Sequence, residues 1–116
     1  MRQFQLYGMF GTPTDQWDFE GEVVQRVLPA HATWIFGLEE TGVMFMGGPF
    51  RAPDYEWDGS GVIFLRADSL AEAQKEAERD PLFIEGLRTY DVRGWQLNEG
   101  RLNLSLNLHS NRIDVA

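Results

Sequence analysis

Residues 2–10, RQFQLYGMF, alternate in period two, with Phe4, Leu6 and Phe10 on one face and Gln3, Gln5, Tyr7 and Met9 on the other. This predicts a strand with apolar side chains on both faces, ended by Gly11-Thr12-Pro13. A polar loop carrying Trp17 and Phe19 follows over Thr14–Gly21. Between Glu22 and Glu40 the period changes to helical: Val24, Val27, Leu28, Ile35 and Leu38 form one apolar stripe around His31. Pro29 favours a helix that starts there or is kinked there, and Gly42 supplies the stop. Val43–Met46 is a short apolar strand, Gly47-Gly48-Pro49 reads as a turn, and Val62–Arg66 is a second apolar strand. The long polar loop between the two strands, Arg51–Ser60, carries Pro53, Tyr55 and Trp57.

Ser69-x-x-Glu72 is a capping box that opens a second helix, on which Leu70, Ala73 and Ala77 share a face. Pro81 ends that helix before Asp80 and opens a short further turn with Asp80 as its N-cap, closed by Gly86. Tyr90–Leu97 is a strand with Tyr90 and Val92 on one face and Asp91, Arg93 and Trp95 on the other. After the turn residues Asn98-Glu99-Gly100, Leu102, Leu104, Leu106 and Leu108 alternate with polar residues in a last amphipathic strand. That strand either extends the sheet as a hairpin or reaches over a partner subunit, and residues 110–116 are expected to be loosely held.

The order strand, helix, strand, strand, helix, strand predicts an α+β, ferredoxin-like βαββαβ sandwich with one additional C-terminal strand. Residues 1–97 form the domain and 98–116 its extension. With both helices on one sheet face, Tyr7, Met9, Phe45 and Trp95 would leave the other face apolar and wet, so a sheet-to-sheet homodimer is expected.

Composition narrows the function. The chain of 116 residues suits a single domain, and its hydrophobic content of 43% and charged content of 24% are ordinary for a globular protein. A net charge of −8 opposes contact with nucleic acid. No apolar run approaches membrane-spanning length and no signal-peptide pattern opens the chain, which points to the cytoplasm. Without cysteine, and with two distant histidines, neither a thiolate nor a metal site is expected. His31 is the residue that calls for an explanation. It projects from an apolar stripe, where an unpaired imidazole is costly, so it requires a carbonyl, a carboxylate, a water or a ligand.

The helix histidine, Gly42 followed by VMFMGGPF, the segment GVIFLRADSLAEAQKEAERDPLF and the strand closing on Gly94-Trp95 together resemble the YCII-related (YciI-like) family of the dimeric α+β barrel superfamily. The likeness spans residues 2–97 and leaves out the final strand and the insert-like loop around Tyr55 and Trp57. It implies a ferredoxin-like subunit, sheet-to-sheet pairing and a site built on His31 and Asp80. Enzyme-like members of the family act on small molecules, including halogenated or hydroxylated aromatics.

A histidine held by a carboxylate has a fixed tautomer, and its free nitrogen can take a proton and return it elsewhere. Asp80 would orient and His31 transfer, in a lyase or isomerase reaction on a small ring without cofactor. Arg51 or Arg93 would steady an enolate or phenolate oxygen. Tyr7, Trp57 and Trp95 would wall the ring, with Gly48 and Pro49 at its border. The plainer readings are a core histidine on a backbone carbonyl, Asp80 as a simple N-cap, and aromatics that serve core and interface. Two other functions then stand beside catalysis: small-molecule binding or sensing without turnover, and an oligomerisation module.

Overall fold

A computed structural model describes residues 4–54 and 57–116. The first two residues of the expected opening strand, Arg2 and Gln3, and loop residue Tyr55 lie outside the described residues. The elements run β1 (Phe4–Pro13), α1 (Glu22–Glu40), β2 (Met44–Pro49), β3 (Gly61–Leu65), α2 (Leu70–Ala77), α3 (Pro81–Ile84), β4 (Arg88–Leu97), β5 (Leu104–Asn107) and β6 (Arg112–Val115). The first four strands to pair form one antiparallel sheet in the order β2-β3-β1-β4, the ferredoxin-like arrangement. Among the described residues no helix is long and apolar enough to cross a membrane.

Register decides which sheet face is the core. Met9 stands opposite Ile63 and Tyr7 opposite Leu65. These residues pack with Ala73 and Ala77 of α2 and with Trp34 and Ile35 of α1. Tyr7 and Met9 therefore face the helices and do not lie on the open sheet face, contrary to the expectation from alternation. The reason is that β1 is apolar on both faces, so period two alone cannot choose between them. The open face instead carries Phe10, Val62, Phe64 and Trp95. Phe64 packs edge-on to Phe10 with centroids 6.2 Å apart and on Trp95 at 4.4 Å.

Helix α1 does not start at Pro29 but passes through it. A mid-helix proline removes one amide and costs about 3 kcal/mol. Burial on both sides offsets this: Val24 and Val27 lie before it, Leu38 after it, and the proline ring sits on the solvent side. Gly42, at φ +76°, provides the left-handed residue just past the helix. On α2, Ser69 accepts the Glu72 amide and Ala73 and Ala77 are buried, whereas Leu70, in the first turn, is 43% exposed.

Gly47-Gly48-Pro49 is strand, not turn. Gly48 pairs with Val62 and Pro49 with Gly61. β2 is an edge strand, where a missing amide can face outward. A Cβ at Gly61 would meet the Gly48 carbonyl oxygen at 2.9 Å, so this crossing requires glycine. The tail also departs from expectation. β5 does not extend the main sheet, and residues 112–115 form β6, which pairs with β5 alone. Asn111, at φ +53°, makes the turn between them.

The face assignment predicts that Met9→Ala lowers unfolding stability by about 2–5 kcal/mol in urea titration, as for a fully buried methionine. Trp95→Ser on the open face of the isolated chain should cost distinctly less.

Candidate active site

The site begins with the cap of α3. Pro81 occupies the first helical position and Asp80 the N-cap, where its Oδ1 accepts the Leu82 amide at 2.9 Å. This local geometry fixes the carboxylate under α1, where it is fully buried. His31, at the midpoint of α1, meets it: Nδ1 lies 2.6 Å from Asp80 Oδ1, with the imidazole 12% exposed. The other oxygen, Oδ2, accepts the Tyr90 hydroxyl at 2.5 Å and Arg88 Nη1 at 3.4 Å. Four donors thus surround one buried carboxylate, which satisfies it and leaves it charged.

Electrostatics follow from this set. Burial pushes the Asp80 carboxyl upward, but the hydrogen bond and charge of His31, with the Tyr90 and Leu82 bonds, outweigh it and hold Asp80 below the ordinary value. Burial pushes the Tyr90 phenol well up, with the Asp80 charge adding to the rise, so it stays a donor at neutral pH. An ionised Asp80 requires the proton of His31 to sit on Nδ1. In the neutral imidazole Nε2 is then the acceptor nitrogen, and among the described residues no protein group bonds it.

Arg88 ties this cluster to the loop before β3. It is 4% exposed; Nε and Nη2 donate to the Gly59 carbonyl at 3.1 and 2.5 Å, and Nη1 donates to the Tyr90 hydroxyl at 2.9 Å. Its guanidinium lies 5.8 Å from the Trp57 ring centroid. Asp58 accepts the Ser60 amide and hydroxyl, which draws its carboxyl below the ordinary value, and the Trp57 indole donates to the Ser60 carbonyl at 2.8 Å. Gly59 is required there: at φ +93° it lies under Trp17, whose ring a Cβ would meet at 2.7 Å.

A cavity of about 280 Å³ opens above His31. Helix α1 gives it Ala32, Ile35 and Phe36, β2 gives Met44 and Gly47–Pro49, and Trp57 closes one side. Met9 and Ile63 complete an apolar wall, and His31, Arg88 and Tyr90 supply the polar end. The cavity is thus apolar along its walls and polar at one end, the general form of a small-molecule pocket.

Of the residues expected from sequence, His31, Gly48, Pro49 and Trp57 reach this cavity, and Asp80 stands behind His31. Tyr7 packs in the helix-side core outside the cavity wall. Arg51 is exposed and also outside it. Arg93 and Trp95 lie on the open sheet face, Arg93 on Asp91 at 3.1 Å and over the Phe10 ring at 4.9 Å. The cation at the site is Arg88, and with Tyr90 it was missed. The signal was present: Arg88, Tyr90 and Val92 alternate onto one face, but a strand taken to begin at Tyr90 leaves Arg88 in a loop.

A pH dependence of stability follows from Asp80. Its folded value lies below the ordinary 3.8 of the unfolded chain. The stabilisation is therefore complete above that value and is lost as pH falls through the folded one. Urea unfolding should show stability dropping as pH is lowered below about 4, and Asp80→Asn should make that limb shallower.

No curated protein sequence matches the chain. Among solved structures it is similar to 5-chloro-2-hydroxyhydroquinone dehydrochlorinase (TftG) from Burkholderia phenoliruptrix AC1100, in complex with 2,5-dihydroxybenzoquinone. The TM-score is 0.62 at 18% identity, over 90% of this chain and 97% of that one, a likeness of fold. The model of the YCII-related domain matches residues 9–96, which contain His31, Asp80, Arg88 and Tyr90. By that match, over most of its length, the chain belongs to the YCII-related domain family.

Proposed function

We propose that the chain is a cofactor-independent lyase or isomerase that moves a proton on a small hydroxylated ring held above His31. The observation that carries this reading is the pairing of His31 Nδ1 with a buried, ionised Asp80 while Nε2, at an apolar cavity, has no protein partner among the described residues. The fold likeness to a dehydrochlorinase of a chlorinated hydroquinone supports the same class of substrate.

In this reading Nε2 takes a proton from the ring or its hydroxyl. The electron pair left behind enters the ring, and a leaving group departs with its own pair, or the proton is returned at another carbon. Either course is redox-neutral. Asp80 stabilises the imidazolium formed and holds the ring plane of His31. Tyr90 and Arg88 hold Asp80. Arg88, the cation at the cavity, faces the oxygen on which negative charge develops. The apolar walls exclude water and strengthen these interactions.

The open sheet face, with Phe64 against Trp95 and Met46 52% exposed, suits the sheet-to-sheet homodimer expected from sequence.

The test uses His31→Gln with 5-chloro-2-hydroxyhydroquinone as substrate and 2,5-dihydroxybenzoquinone as ligand. Turnover should fall about 10²–10⁴-fold, as for loss of a general base, with ligand affinity changed only a few-fold. Equal loss of both, or no turnover by the wild type alongside firm binding, makes the site a receptor and not a catalyst. Independently, ¹⁵N spectra should show the His31 ring losing its Nδ1–H preference in Asp80→Asn.

A further inference from the structure

The C-terminal ribbon is a second feature that the cavity chemistry does not use. Strands β5 and β6 pair with each other alone, and every residue in both is exposed. Cross-strand register puts Leu104 opposite Val115 and Leu106 opposite Ile113. These four side chains therefore share one face, while Ser105, Asn107, Arg112 and Asp114 share the other. Leu102 and Leu108 flank the apolar face at the strand ends. A radius of gyration of 16.0 Å, against ~13 Å for a compact 100-residue domain, fits an arm held out from the body.

A two-stranded ribbon is marginal in water unless its apolar face is covered. The six aliphatic residues are each 56–80% exposed. Together they leave on the order of 500 Å² of apolar surface, the size of the largest patches on ordinary monomers.

The chemistry of the face indicates its cover. It is purely aliphatic, with no aromatic or charged residue at its centre, the composition of a permanent self-contact and not of a transient mixed interface. It is also nearly self-complementary, a two-by-two array that a two-fold axis can stack on its own copy at sheet-packing distance. Charge favours the same partner. Within residues 98–116, Glu99 and Asp114 balance Arg101 and Arg112, so the whole net charge of −8 resides on residues 1–97. Two acidic bodies repel, and the neutral ribbon is where copies approach at least electrostatic cost. Two such faces brought together bury on the order of 1,000 Å², the lower bound for a specific interface.

We infer that the C-terminal ribbon is a self-association arm whose Leu104–Leu106–Ile113–Val115 face packs against the same face of a second copy of this chain. This contact lies outside residues 9–96 of the family match and is separate from any pairing through the open sheet face. It does not depend on the chemistry at His31.

The test is made on the full chain by sedimentation velocity at micromolar concentration. Leu106→Glu/Ile113→Glu should halve the mass of the wild-type particle while its thermal unfolding midpoint and far-ultraviolet spectrum are retained. The chain has no cysteine, so single thiols can be placed cleanly. Under mild oxidation Leu106→Cys should form a chain-to-chain disulfide and Ser105→Cys, on the polar face, should not. An unchanged mass in the double variant overturns the inference, as does equal cross-linking from both thiols. Capture of the wild type by phosphatidylcholine vesicles, lost in the double variant with no change in mass, assigns the face to a lipid surface and overturns it too.

Discussion

The buried carboxylate of Asp80 is the constraint on which this structure turns. A charge with no exposure is tolerable only if donors surround it, and here they come from three elements: His31 from α1, the Leu82 amide from α3, and Tyr90 with Arg88 from β4. Each donor also has a structural duty. The Leu82 bond caps α3, the His31 bond ties α1 to that cap, and the β4 pair ties both to the sheet. Removing the carboxylate would strand Arg88, 4% exposed, without its counter-charge. Helix–helix and helix–sheet geometry in this region is therefore specified by polar satisfaction as much as by apolar packing.

The same cluster determines what the cavity can hold. Arg88 reaches past Asp80 to the Gly59 carbonyl and lies against Trp57, so the loop wall and the carboxylate are linked by one side chain. The cavity is therefore polar at one end, where His31, Arg88 and Tyr90 converge, and apolar elsewhere. A glycine pair in β2 and Gly61 in β3 let backbone form the opposite border.

The two apolar surfaces that remain differ in kind. The open sheet face is an aromatic array, partly self-covered by Phe10, Phe64 and Trp95. The ribbon face is aliphatic and uncovered along its whole length. Both answer to the same rule, that extended apolar surface seeks a cover, and their different compositions suit different contacts.

Sequence by itself determined the elements whose signals are local: the Ser69 cap, the Asp80-Pro81 cap, the Gly42 stop, the helix carrying His31 and the leucine alternation of β5. It also determined the fold class, because the order of elements allows few topologies. Tertiary structure decided everything that depends on register and pairing. Which face of β1 is core, that α1 continues through Pro29, that Gly47–Pro49 is edge strand, and that β5 leaves the main sheet for β6 are all outcomes of competing burial. The cation at the site belongs to this second class. Arg88 and Arg93 stand on opposite faces of β4, and Arg88 meets the carboxylate eight residues earlier because the strand begins two residues before Tyr90, a boundary set by pairing with β1. Local propensity fixes backbone form, whereas the convergence of charged groups is fixed only when strands and helices have docked.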